Sequence, residues 1–439
     1  MTSWSRVKSN KNLPEREAEV TSAFLSRSNS KPRHVLLNRL HVCIAVLTLL
    51  LSMGVVLTLI LQPPVHFPRK PRNTILFLAD GLTQDQQLLL HKAQQQTDNP
   101  TNEWERSGIG SLEFTSDAHD VQLGSDAKHA RKAIGYITTG NLFTTRPRLV
   151  LLKNSPPWEQ WERIAPILLV GGGVNSNQKQ MAAMTPGFPL ETQPFSLVTS
   201  YDAWTKYTWE EGSRLVALLE SRELSYTIDS EQSGDPTLAN IVEKGLRYMQ
   251  SYNHTEYDGF FLVVHLTNIQ RAVDANDFGA LLREVSLANT IIAILREFTY
   301  KNPDTLAIGL GFPVNREEFI ADPSLLPLVL CNRASIAKAL SHPRDSTFLE
   351  WLAHAFTLTK TSRYMQSLKE KLEDNRSIEE DLKDIYMLYF LMYHQTTHPK
   401  NTVSASVSGN AFMVASLYTQ PPKERTVAFI VDEIQKGFR

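Results

Sequence analysis

Three features of the amino-acid sequence predict an α/β protein. The stretch from Asp258 to Arg283, DGFFLVVHLTNIQRAVDANDFGALLR, opens as a continuously apolar strand, Gly259 to Val264. It then passes through a polar turn into a helix with apolar residues at Phe278, Leu281, Leu282, Val285 and Ala288. A second apolar strand, Thr74 to Ala79, ends on a carboxylate, Asp80, and PILLVGGG at 166–173 runs from a strand into a glycine turn. The composition, 42% hydrophobic and 9% aromatic over 439 residues, is that of a globular α/β chain able to bury a sizeable core. Strand-to-helix turns are where open sheets of this class gather ligands.

Other classes are excluded by composition and pattern. Lys and Arg number 45 against 46 Asp and Glu, so no global field recruits nucleic acid, and no nucleic-acid motif is present. The glycines at 171–173 are not a nucleotide loop, lacking both Gly-x-Gly-x-x-Gly and a Gly-Lys-Ser/Thr ending. No internal repeat is visible.

The N-terminus predicts a membrane anchor. Leu40 to Leu61 contains no charged residue and, as a helix, spans roughly 30 Å, a hydrocarbon core's thickness. The expected organisation is a disordered basic tail at 1–39, a transmembrane signal anchor at 40–62, a proline-rich stalk at 63–73 and an ectodomain at 74–439. Gln62-Pro63-Pro64 supplies no small-residue cleavage site, which favours an uncleaved anchor. Arg27, Lys31, Arg33 and Arg39 before the span, against Arg69, Lys70 and Arg72 after it, favour an inside N-terminus. The ectodomain of such a type II membrane protein faces the lumen or the cell exterior, at the plasma membrane or in the secretory pathway. The sequons at Asn253 and Asn375 fit that side and make the chain a candidate glycoprotein. Cys43 lies in the span, leaving Cys331, expected to be buried, without an ectodomain partner.

Six phrases occur in an order that resembles the alkaline phosphatase family: ILFLADG (75–81), AIGYITTGNLFTTRP (133–147), PILLVGGG (166–173), PTLANIVEKGL (236–246), GFFLVVH…ANDFGALLREV (259–285) and DTLAIGL (304–310). The resemblance implies a doubly wound, mostly parallel central sheet with helices on both faces. It also implies a serine phosphomonoesterase using zinc and magnesium, since in-line phosphoryl displacement builds charge that cations must offset. Asp80 matches the carboxylate shared between zinc and magnesium and is kept.

Most other family positions have changed. The resemblance lays the magnesium glutamate on His265, a zinc aspartate on Gln270, a zinc histidine on Asp274, and an Asp-His pair on Phe312 and Pro313. Arg146 falls where a magnesium-binding hydroxyl belongs, and His398 matches a C-terminal zinc histidine. Asp274 and His398 leave a residual zinc site open, but two ligands fall short of the usual three, and His265 reads as a hydrogen-bonded core histidine rather than a ligand. The family's Asp-Ser nucleophile is absent. Ser116-Asp117-Ala118 and Ser125-Asp126-Ala127 reverse its order and read as helix N-caps.

The expectation is therefore a membrane-anchored alkaline-phosphatase-like pseudoenzyme acting as a binding or interaction module, as a homodimer or with a protein partner, with no catalytic residue and no cofactor. The competing reading is an active extracellular phosphomonoesterase with a rearranged metal site. A buried Asp80 without metal needs a counter-charge, for which Arg146 is the expected source. Beyond Phe312, an insert at about 314–395 shows helical spacing, with Phe348, Trp351, Leu352, Ala355 and Phe356 on one face and Leu382, Ile385, Tyr386, Tyr389 and Phe390 on another. Such stripes pack a core or form an interface.

Overall fold

The computed structural model describes residues 44–53, 70–95, 108–113, 122–151, 156–174, 195–210, 212–252, 256–312, 318–320, 323–395, 402–409 and 426–438. The chain divides into two compact units, Met1–His66 and Phe67–Arg439. In the first, the described residues form an apolar helix, Ile44–Met53, inside the predicted 40–62 span; the remainder of that span lies outside the described residues. Among the described residues, the helix long and apolar enough to cross a membrane is instead Phe278–Lys301 in the second unit, and it is largely buried.

The second unit is built on strands β1 (Asn73–Asp80), β2 (Gly108–Glu113), β3 (Ala133–Asn141), β4 (Leu168–Gly172), β5 (Phe195–Val198), β6 (Arg214–Leu218), β7 (Phe260–Leu266), β8 (Thr305–Phe312), β9 (Glu318–Ile320), β10 (Tyr393–Gln395) and β11 (Thr402–Gly409). Nine of them make one sheet in the order β2-β11-β8-β1-β7-β3-β4-β6-β5. The run from β8 to β5 is parallel, and β11 closes it antiparallel to both β8 and β2. Helices cover both faces, which is why these strands read as unbroken apolar runs.

Strand alternation divides the core into two layers. Ile75, Phe77 and Ala79 of β1 pack with the helices Gln84–Gln95, Leu238–Ser251 and Phe278–Lys301. Leu76 and Leu78 pack on the opposite face with the helices Leu123–His129, Pro157–Ile164 and Val427–Phe438. Strand β7 runs on past Val264, so His265 belongs to the sheet. The predicted polar turn after it contains a short helix, Asn268–Asp274, ended by Asn276 in the left-handed region at φ 53°.

The region after β8 is helix-rich, as expected, but broken into pieces. Its described α-helices are Leu326–Leu330, Ile336–Ser341, Phe348–Ala355, Arg363–Glu373, Glu379–Lys383 and Ile385–Leu388, followed by β10, which pairs with β9. Thr357 and Leu391, both at positive φ, interrupt the helical spacing, and Ser362 caps a new helix by accepting from the Met365 amide. Both aromatic stripes pack into the core: Phe348, Leu352, Phe356, Leu382, Ile385, Tyr386 and Phe390 are buried. Cys331 is exposed, contrary to expectation, because it caps the short helix Leu326–Leu330 at the surface.

Carboxylates hold this helical region to the sheet domain. Asp277 caps Phe278–Lys301 by accepting from the Ala280 amide, and its other oxygen accepts from the Ile336 amide at 2.6 Å. Asp229 accepts from the amide and hydroxyl of Ser335 at 2.9 and 2.6 Å. The buried Tyr386 hydroxyl lies 3.1 Å from the Asn332 amide and sits where a side chain on Gly279 would have to go. Gly279→Ala is therefore expected to destabilise the full chain by about 2 kcal/mol in urea unfolding. Tyr386→Phe in the same chain recovers part of that loss by vacating the hydroxyl's space.

Glu284, buried in the middle of Phe278–Lys301, accepts from the Thr227 amide at 2.6 Å through one oxygen, while its other oxygen finds no partner. Burial pushes its carboxyl up to about 7, against the opposing pull of Thr227 and Arg271. The folded state thus holds a proton that the unfolded chain releases at the ordinary glutamate value. Stability from this group is complete below about pH 4.5 and is lost as pH rises to about 7. Urea midpoints measured across this window should fall with rising pH, and Glu284→Gln should flatten the slope, a difference on the order of 3 kcal/mol.

Candidate functional site

The site lies where the central strands end. Leu76, Leu78 and Asp80 share one face of β1, and by the same alternation Phe261, Val263 and His265 share that face of β7. On β3 the corresponding residues are Ile134, Tyr136 and Thr138, with Thr138 in register with His265. Three adjacent strands therefore aim Asp80, His265 and Tyr136 into one layer.

These side chains form a hydrogen-bonded chain. His265, 1% exposed, places Nε2 2.8 Å from Asp80 Oδ2 and Nδ1 3.1 Å from the Tyr136 hydroxyl. An ionised carboxylate only accepts, so Nε2 carries a proton and donates the hydrogen bond to Asp80. Tyr136 stacks on Trp161 with ring centroids 4.6 Å apart, and burial raises its hydroxyl pKa far above the ordinary value. Asp80 also faces a guanidinium, with Arg148 Nε 3.8 Å from Oδ1. Arg148 lies over the ring of Phe312, 5.0 Å from its centroid. Burial pushes Asp80 up, but the charge and hydrogen bond of His265, with Arg148 behind them, hold its carboxyl below the ordinary value.

The counter-charge expected from Arg146 thus comes from Arg148. Residues 145–147 follow the end of β3, leaving Arg146 half-buried, and the turn at 148–150 carries Arg148 back over Phe312 toward Asp80. Gln270 and Asp274 meet each other, Gln270 Nε2 donating to Asp274 Oδ1 at 2.8 Å along one turn of helix, with Asp274 exposed. Phe312 is buried beside Asp80, its register partner on β8. Pro313, His398, Asn253 and the 116–118 triplet lie outside the described residues. Ser125 and Asp126 do not cap a helix as expected; they lie within Leu123–His129, whose N-cap is Gln122.

The residues at Asp80 fit a divalent cation poorly. Among the described residues, no cluster of three or more His, Cys, Asp or Glu side chains is suited to hold one. His265 Nε2, the nitrogen nearest Asp80, points a proton at the carboxylate, so its lone pair is not available. The buried Oδ1 lacks a hydrogen bond and faces Arg148, a fixed cation that would repel a metal.

Comparison with known proteins agrees with the architecture. The alkaline phosphatase family model matches residues 188–310, a segment that includes His265, Gln270 and Asp274. An alkaline phosphatase of Schizosaccharomyces pombe is 27% identical over 150 residues, which is 31% of this chain and 28% of the yeast protein. The chain thus spans under a third of that relative's length in the match. Among solved structures, a cold-active alkaline phosphatase from a psychrophilic Shewanella species superimposes with a TM-score of 0.63 at 15% identity, covering 84% of this chain and all of that one. The Thermus thermophilus alkaline phosphatase gives 0.58 at 18% identity, covering 84% of this chain and 92% of that one. The fold is that of an alkaline-phosphatase-like α/β protein. The sequence match over residues 188–310 points to the same family as the fold.

Tyr136 and Arg148 were not singled out from sequence, although the alternation along β3 carried the signal for Tyr136. Tyr136→Phe leaves a buried imidazole nitrogen unpaired and should cost about 1–3 kcal/mol in urea unfolding. Arg148→Ala, at a half-exposed ion pair, should cost about 1 kcal/mol or less. The reverse order would contradict this reading of the site.

Proposed function

We propose that this protein is a membrane-anchored pseudoenzyme of the alkaline phosphatase family, using the family scaffold as a binding or interaction module. The observation that carries the reading is the surroundings of Asp80. Its carboxylate faces a proton-bearing His265 and the Arg148 guanidinium where phosphate-ester hydrolysis in this family would call for divalent cations. Cations and an activated hydroxyl supply most of the rate in such chemistry, so their loss forfeits many orders of magnitude. The residue changes at 265, 270, 312 and 313 and the missing Asp-Ser support the same conclusion.

The anchor is assigned to 40–62 and the family domain to 74–439, with the helical insert at about 314–395 as the part available to a partner or a second copy. The ectodomain is placed outside the cell or in the lumen, where no nucleic acid is met. Asn375, exposed after the helix Arg363–Glu373, is then an accessible glycan acceptor. Expression in a mammalian secretory host should give a band that shifts down on amidase deglycosylation, and Asn375→Gln should remove one step of that shift.

The reading is tested by incubating the purified full chain with p-nitrophenyl phosphate at alkaline pH, with and without added zinc and magnesium. The expected result is no release above the buffer rate in either condition. Zinc-dependent turnover abolished by Asp80→Asn would instead establish the competing reading, an active phosphomonoesterase whose metal site draws on residues such as Asp274 and His398.

A further inference from the structure

The Asp80 network deepens the pseudoenzyme reading, on which it rests for the expectation of metals. A carboxylate at the end of a buried strand needs both donors and counter-charge. His265 supplies a donor at 2.8 Å, Tyr136 orients its ring from the opposite nitrogen, and Trp161 stacks beneath Tyr136. Arg148 brings the charge and is seated on Phe312. Each contact makes another more specific: Phe312 offers the apolar face on which the guanidinium rests, and the Tyr136 contact fixes which nitrogen of His265 turns to Asp80.

We infer that His265 and Arg148, aligned by Tyr136 and Phe312, form a built-in replacement for divalent cations at Asp80, making the folded domain independent of metal at this position. In this arrangement His265 and Arg148 are positioning residues for the strand ends, and Asp80 is kept as the acceptor around which β1, β7 and the 145–150 segment close. Loss of Asp80 or His265 leaves the other without its 2.8 Å partner, so these two behave as a unit.

The test is thermal unfolding and metal analysis of the full chain, comparing wild type, Asp80→Asn, His265→Gln and the double variant, each with EDTA, zinc and magnesium. Wild type should keep its midpoint within about 1 °C in all three conditions. Each single variant should melt roughly 4–6 °C lower, and the double variant no lower than the worse single. A saturable rise of the wild-type midpoint with zinc or magnesium, abolished by Asp80→Asn, would overturn the inference, as would single losses that simply add. Should the variants fail to fold, the wild-type response to EDTA and metal decides alone. An inert protein holding stoichiometric zinc at Asp80 would sink this inference and leave the pseudoenzyme reading standing; turnover by a metal-free protein would do the opposite.

Discussion

A carboxylate at the end of a buried strand must be neutralised, and that constraint organises the centre of this protein. Six of the residues from Asn73 to Asp80 are buried, with only the two ends of β1 partly open. Asp80 is one of those ends, its side chain 20% exposed, so water solvates its charge only in part. The surrounding strands deliver what it needs because parallel pairing in register, with side chains alternating between faces, sends His265 and Tyr136 to the same side as Asp80. Asp80, the two-layered core and the 145–150 segment are parts of one arrangement.

The helical region after β8 is held by a related device. Asp229 and Asp277 accept backbone amides from Ser335 and Ile336, so two core carboxylates cap the start of the helix Ile336–Ser341 as well as serving their own elements. Burial pushes Asp277 up to about 6, against the hydrogen bonds from Ala280 and Ile336 that favour its charge. The aromatic face of Tyr386, Phe390 and Phe356 packs behind these contacts. Met387, Leu388 and Leu391 remain exposed on the outer side of the same segment.

Much of the fold was legible in the sequence. Apolar runs ending in Asp80 and at the 171–173 glycines mark strands buried on both faces, and the Asp258–Arg283 stretch marks the strand-to-helix connection, because burial on both faces demands continuous apolarity. Helix breaks at Thr357 and Leu391 were not legible, since positive φ at a non-glycine residue is imposed by packing rather than by propensity. The exposure of Cys331 was hidden for a similar reason: its neighbours are apolar, but its place at the end of a short surface helix is a tertiary matter.

By itself the sequence determined the class of fold and the carboxylate that ends an apolar strand at Asp80, because these depend on local pattern and identity. Only the tertiary structure decided which cation answers Asp80. Arg146 and Arg148 are two residues apart and chemically identical, so their choice turns on the path of the 145–150 segment and on Phe312, contributed from β8. The role of His265 was likewise settled in three dimensions, where the spacing of neighbouring parallel strands sets it between an acceptor and a hydroxyl.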